Sequence, residues 1–412
     1  MKASLRLPAG MALSILATRR WRWLGAALAA AGMAALAGCA NVGYYWQSAS
    51  GHLSLMRAAR PVPDWLADPA TSAALRQKLE LAQRIRRYAS VQLHLPDNRS
   101  YTAYADLHRG AAVWNVVAAP PYSLTLKTWC FPIAGCVGYR GYYAEAAAQA
   151  EAKQLQGEGL EASVYPVPAY STLGWLDWAG GDPLLSTFIG YPEGELARLI
   201  FHELAHQLLY VSGDTDFNES FATSVERLGG AQWLATQASP AAREEYQQFD
   251  ARRRAMRALM ADTRRALAAI YESKEAKAKD WRAVDAMKKV AMDDFRARYQ
   301  QLRAGWTGPR QGAYDAWVAN ANNATFGTQA AYDALVPAFE QLFEREGRDW
   351  PRFYAAVRRI AALPTAQRRA DALRAEAGII PASAPGPRCL TSRSNASTTS
   401  AWPAHARWPA SG

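Results

Sequence analysis

The chain has 412 residues and half of them are hydrophobic, enough to bury one large core or two of ordinary domain size, roughly 100–200 residues each. Disorder of the whole chain is excluded. Of the formal charge of +11, five bases (Lys2, Arg6, Arg19, Arg20 and Arg22) stand in the first 38 residues, which hold no acid, and without them +6 remains. That surplus is dispersed, and the 15 Trp and 19 Tyr are not interleaved with bases, so nucleic acid is not an expected partner.

At the N-terminus, Arg19-Arg20-Trp21-Arg22 precedes an apolar run of small residues from Leu24 to Ala37, which ends in Leu36-Ala37-Gly38-Cys39. This is the order of an export signal, and the run is short for a membrane span. The arginine pair fits twin-arginine export poorly. Leu-Ala-Gly-Cys resembles the bacterial lipoprotein box, which implies removal of residues 1–38 and acylation of Cys39 as the mature N-terminus. The alternatives are an ordinary secretory signal or an uncleaved anchor. Ala40 and Asn41 follow with no Asp beside the cysteine; by resemblance to enterobacterial sorting, this favours the periplasmic face of the outer membrane.

From Trp65 to about Ser90, Leu75, Leu79, Leu81, Ile85 and Tyr88 recur at helical spacing, predicting an amphipathic helix. Val113–Val117, Tyr122–Leu126 and Val137–Tyr139 are β-branched and aromatic runs broken by Pro and Gly, the pattern of antiparallel strands. Between them, Cys130 and Cys136 flank Pro132 and Gly135, which let the chain turn back. In an exported protein a local disulfide is the natural reading, with two buried thiols as the alternative. An alanine-rich helix is expected from about Tyr143 to Gln156, then a strand over Ala162–Val167, which Pro166 assigns to an edge. From Glu195 to about Leu373 the chain reads helical, with breaks near Gly213, Gly229, Ser239-Pro240, Gly305 to Pro309, and Pro364. Beyond Ala377 there is no acidic residue and no periodicity, so residues 378–412, with the unpaired Cys389, are expected to be disordered. That abrupt change of composition would also suit a shifted reading frame. The predicted organisation is a signal peptide (1–38), a mixed α+β lobe (39–229), a helical lobe (230–377) and the tail.

The chemistry concentrates in Leu199-Ile-Phe-His202-Glu203-Leu-Ala-His206-Gln207-Leu-Leu-Tyr210. On a helix, His202 and His206 lie one turn apart on one face and can bind one Zn²⁺ per chain. Glu203 projects about 100° around the axis, beside such a metal rather than on it, where it can take the proton of an attacking water. With only six histidines in the chain, this spacing is difficult to produce by accident. A third ligand is offered after the turn Ser212-Gly213-Asp214 by a second helix beginning Asn218-Glu219-Ser220-Phe221-Ala222, with Asn218 or Asp216 as its cap. Antiparallel packing would bring Glu219 back over the histidines. Glu226, two turns further along the same face and about 10 Å away, would stand behind the ligands, receiving an N–H from a ligand histidine or pairing with an arginine.

His-Glu-Leu-Ala-His-Gln followed by Asn-Glu-Ser-Phe-Ala-Thr resembles the gluzincin metallopeptidases, especially the aminopeptidase-N-like group. Over roughly Cys39 to Arg374, the lipoprotein start, the Trp129–Tyr142 segment, Ala169-Tyr-Ser-Thr-Leu-Gly-Trp175 and Asp182-Pro-Leu-Leu-Ser186 resemble a bacterial aminopeptidase family of zinc-binding lipoproteins. The resemblance implies an α+β zincin, thermolysin-like, with His202, His206 and Glu219 as zinc ligands, Glu203 as the base and peptides as substrate. Two departures stand out. The twelve residues between His206 and Glu219 are fewer than in aminopeptidase-N-like enzymes, and the Gly-x-Met-Glu-Asn element that holds a free amino group is missing. A phenol could assist the carbonyl oxygen. Tyr332, after the polar Asn320–Asn323 run, is preferred to Tyr314, although Tyr332, Val336 and Phe339 also fit a core stripe. Tyr170–Gly174 would suit the edge strand that aligns a peptide backbone. Two other functions stay open: an inactive, zinc-stabilised envelope binding protein, and an amidase acting on cell-wall peptide.

Overall fold

The computed structural model describes residues 43–131, 135–169, 181–308, 310–328 and 335–378. The export segment with Cys39, the Tyr170–Gly174 segment, Tyr332 and the tail with Cys389 lie outside the described residues. The chain divides into two units, Met1–Ser54 and Leu55–Gly412. Residues 43–58 are helical (α1). Among the described residues no helix is long and apolar enough to cross a membrane. The protein is mixed α+β and mostly helical.

After α1 the second unit continues with β1 (Ala59–Pro61), α2 (Val62–Ala67) and α3 (Ala73–Val91). The single helix expected from Trp65 is thus two helices. Asp68-Pro69 ends the first, because proline cannot continue the hydrogen-bond ladder, and Ser72 starts the second by accepting from the Leu75 amide. Next come β2 (Ala103–Ala105), β3 (Val113–Ala119), β4 (Trp129–Phe131), β5 (Gly135–Val137), β6 (Arg140–Tyr142), α4 (Glu145–Gly157), β7 (Glu161–Val167) and β8 (Leu184–Leu185). Among the described residues the strands form three small sheets, ordered β1-β2-β8, β6-β3-β7 and β4-β5, in which only the β2–β8 pair is parallel. Every residue of β3 is buried, and β7, with Pro166, is an edge strand as its proline suggested. The strand expected at Tyr122–Leu126 does not form. Both edges of β3 are taken by β6 and β7, and the segment instead lays its Leu124 carbonyl and Leu126 side chain against Gly327. In the β4–β5 hairpin Cys130 stands opposite Cys136 and the two form a disulfide.

The remaining elements among the described residues are helices: α5 (Glu193–Leu208), α6 (Thr215–Thr236), α7 (Pro240–Tyr271), α8 (Lys274–Lys277), α9 (Trp281–Ala304), α10 (Asp315–Asn320), α11 (Asn323–Gly327), α12 (Val336–Arg345), α13 (Trp350–Ala361) and α14 (Ala366–Ala377). The expected break at Gly229 is absent. α6 runs through Gly229-Gly230 because both lie where neighbours come close: a Cβ at Gly229 would stand 2.6 Å from a Leu93 methyl, and one at Gly230 would stand 2.7 Å from Arg198 Cγ. Every residue of α5 from Leu196 to His206 is buried, so this helix is enclosed on all sides. α3 covers it through Tyr88, whose ring meets Phe201 at 6.2 Å and Trp233 at 5.1 Å. The far side of α6 packs into α12 and α13, with Phe217 and Phe221 against Phe339 at 5.1 and 5.8 Å. A second core cluster joins Met256, Leu259 and Met260 of α7 to Met292, Phe295 and Tyr299 of α9.

Candidate metal centre

Two consecutive helices and the turn between them build the site. Asp214 caps α6 by accepting from the Phe217 amide, where the sequence suggested Asn218 or Asp216. Asn218 has a different task. Its side-chain oxygen accepts from the Val211 amide at 2.8 Å and its side-chain nitrogen donates to the Val211 carbonyl at 2.7 Å. This two-bond clamp pins the α5–α6 turn one residue before Glu219. Phe221, wholly buried, fixes the opposite face of α6 in the aromatic cluster. Within Asn-Glu-Ser-Phe-Ala, then, Asn218 sets the turn, Phe221 sets the rotation of the helix, and Glu219 is left facing α5.

His202 and His206 are 5% and 1% exposed and Glu219 is 4% exposed. The two Nε2 atoms lie 3.1 Å apart, with Glu219 oxygens 3.5 Å from that of His202 and 3.6 Å from that of His206. Two donors each about 2.0–2.1 Å from a tetrahedral ion stand about 3.3 Å apart. The three side chains meet that spacing, and they form a buried group that could hold a metal ion. The donor set, two imidazoles and one carboxylate, suits zinc and leaves a fourth position. Glu203 follows His202 on the helix and is fully buried.

Glu226 stands on the other side of His202. One of its oxygens is 2.9 Å from His202 Nδ1, and the other accepts from Arg198 Nη2. Burial pushes the His202 imidazole down, but hydrogen bonds to Glu219 and Glu226, and the charges of Glu226 and Glu203, outweigh it and bring the pKa to about 9. Along α5, Arg198, His202 and His206 follow one another at intervals of four residues. Along α6 their partners run in reverse, Glu226 and then Glu219. This is the side-chain record of two antiparallel helices.

Sequence reasoning had not singled out Arg198, although its position four residues before His202 was a usable signal. Gln207, next to His206, is tied by Asn98, Ser100 and Asp182, which hold its amide at 2.6 to 3.1 Å. Tyr210, just past α5, is half exposed; partial burial, then the Glu219 charge, raises its phenol pKa. Tyr314 joins the second core cluster, its ring 5.8 Å from Trp306.

A buried two-histidine, one-carboxylate cluster on a helical hairpin, with a further glutamate between the histidines, defines a candidate metal centre. The chain belongs to the family described as "Putative aminopeptidase", whose model matches residues 43–373. The whole site lies within that span. No curated protein and no solved structure matches the chain.

Proposed function

We propose that the protein is a zinc-dependent metallopeptidase of gluzincin type and zincin fold, anchored in a bacterial cell envelope by a lipid on Cys39. Membership of an aminopeptidase family supports peptide-bond hydrolysis. The observation that carries the metal reading is the convergence of His202, His206 and Glu219, all buried and with donor atoms within 4.8 Å of one another. Zinc held there would supply Lewis acidity, polarising a peptide carbonyl and lowering the pKa of water. Glu203 does the proton work: its carboxylate accepts a proton from the attacking water and passes it to the leaving amine. Glu219 offsets the positive charge that the two imidazoles alone would leave uncompensated in a buried site. Tyr332 is the phenol proposed to donate to the developing oxyanion.

The presence of Glu203 speaks against the zinc-stabilised binding protein, since a structural site has no use for a base. Incubating purified protein, assayed for zinc content, with a diverse peptide library and mapping the cut ends by mass spectrometry tests the reading. Cleavage that a chelator abolishes and zinc restores is expected, and cuts at N-termini or within chains distinguish exo- from endopeptidase action. A zinc-loaded protein that cuts no peptide would favour cell-wall amides or binding. For the anchor, palmitate label should enter the wild type and not Cys39→Ala, with the label in the outer-membrane fraction.

A further inference from the structure

Arg198 is 2% exposed and lies one turn before His202 on the same face of α5. Its Nη2 donates to Glu226, whose other oxygen faces His202 Nδ1 at 2.9 Å. Its Nη1 donates to the Tyr246 hydroxyl of α7 at 3.2 Å and lies 3.7 Å from Glu195. Two glycines make room for this arrangement. A Cβ at Gly230 of α6 would stand 2.7 Å from Arg198 Cγ, and a Cβ at Gly194 of α5 would stand 2.5 Å from the Tyr246 ring.

Stability does not account for such a pair. Replacing a buried ion pair by apolar groups of similar volume is often neutral or stabilising. What a planar guanidinium provides is direction. With one carboxylate oxygen of Glu226 held by Arg198, the other is kept 2.9 Å from His202 Nδ1. In the neutral imidazole that a metal would bind, a carboxylate at this place favours the tautomer with the proton on Nδ1 and the Nε2 lone pair toward His206 and Glu219.

We propose that Arg198 is a positioning residue for the metal centre, acting through Glu226 on the orientation and tautomer of His202, with Gly230 as the gap that lets it lie across α6. The inference rests on the metal reading above. Arg253, which bonds Glu195 at 2.7 Å and Asp250 at 2.6 Å further out, is the comparison residue. It belongs to the same network but touches neither Glu226 nor His202.

The test compares wild type, Arg198→Met, Arg198→Lys, Gly230→Ala and Arg253→Met in the full chain. Zinc dissociation constants are read by competition with a chromophoric chelator, beside the visible spectrum of the cobalt(II)-loaded protein and the melting temperature of the metal-free protein. Arg198→Met should bind zinc about 10–100-fold more weakly and shift the cobalt bands. Arg198→Lys should recover part of the loss, Gly230→Ala should weaken zinc with the charge still in place, and Arg253→Met should leave affinity and spectrum unchanged. Adding Glu226→Gln to Arg198→Met should cost little more, since both act on one contact. If Arg198→Met does not fold, Gly230→Ala and Arg198→Lys decide. Wild-type affinity and spectrum in the folded variants, with only melting temperature changed, would overturn the positioning role and leave the metal reading intact. A wild-type chain that binds no zinc overturns the metal reading and this inference together.

Discussion

The charged pairs of the α5–α6 hairpin and those of α9 use the same residue types in opposite surroundings. Arg198 and Glu226 are 3% and 7% exposed at their side chains, and Arg369 and Asp214 are 8% and 6% exposed. On α9, Lys289 and Asp293 are 77% and 54% exposed and only 2.6 Å apart. The contact distance therefore says little about what a pair does. A surface pair is screened by water and holds two flexible chains at an entropic cost, so it contributes little. In the hairpin neither partner can be removed without leaving a charge stranded, and the pair dictates geometry.

Substitutions can sharpen this contrast. The largest effect is expected from Glu203→Gln, which keeps the shape but removes the base: zinc content should stay near one per chain while peptide hydrolysis falls by about 10²–10⁴-fold. Metal analysis beside a peptide assay checks it, and near wild-type activity would remove Glu203 from the chemistry. Glu219→Ala should lose most bound zinc, whereas Glu226→Ala should keep it with affinity or rate lowered about 10–100-fold; the opposite pattern on metal analysis would exchange their roles. Asp214→Ala strands Arg369 and removes the α6 cap, so unfolding by urea should show a loss of about 3–5 kcal/mol. Lys289→Ala, at the exposed end of the comparison, should leave the melting temperature unchanged within error. A clear drop there would mean that α9 is covered by something in solution.

Much of the site could be read in the sequence because its logic is local. The spacing of His202, Glu203 and His206 survives any packing arrangement once a helix forms, and the short turn to Glu219 leaves few ways to fold back. The cap was misassigned because Asp214, Asp216 and Asn218 are chemically equivalent candidates; only the structure shows Asn218 occupied with Val211. Gly229 was misread as a helix break for a related reason. A glycine can end a helix or admit a neighbour, and the neighbours, Leu93 and Phe201, come from other parts of the chain. Strands suffered most. Tyr122–Leu126 has the composition of a strand but packs against Gly327 of α11 instead of pairing, while β1, β2 and β8 are two or three residues long, too short to leave any alternation.

The Asp214–Arg369 bond separates two kinds of contact in time as well as space. The donor groups of the metal centre all lie between His202 and Glu219, so the hairpin that brings them together closes a short loop, a fast event. The Arg369 guanidinium reaches Asp214 across 155 residues, and the loop entropy opposing it is recovered only when α14 arrives. The topology thus favours a nascent hairpin able to gather its imidazoles early, with α14 closing over the α6 cap at the end. A chain ending before Arg369 would keep all three metal donors and lose the contact that completes folding.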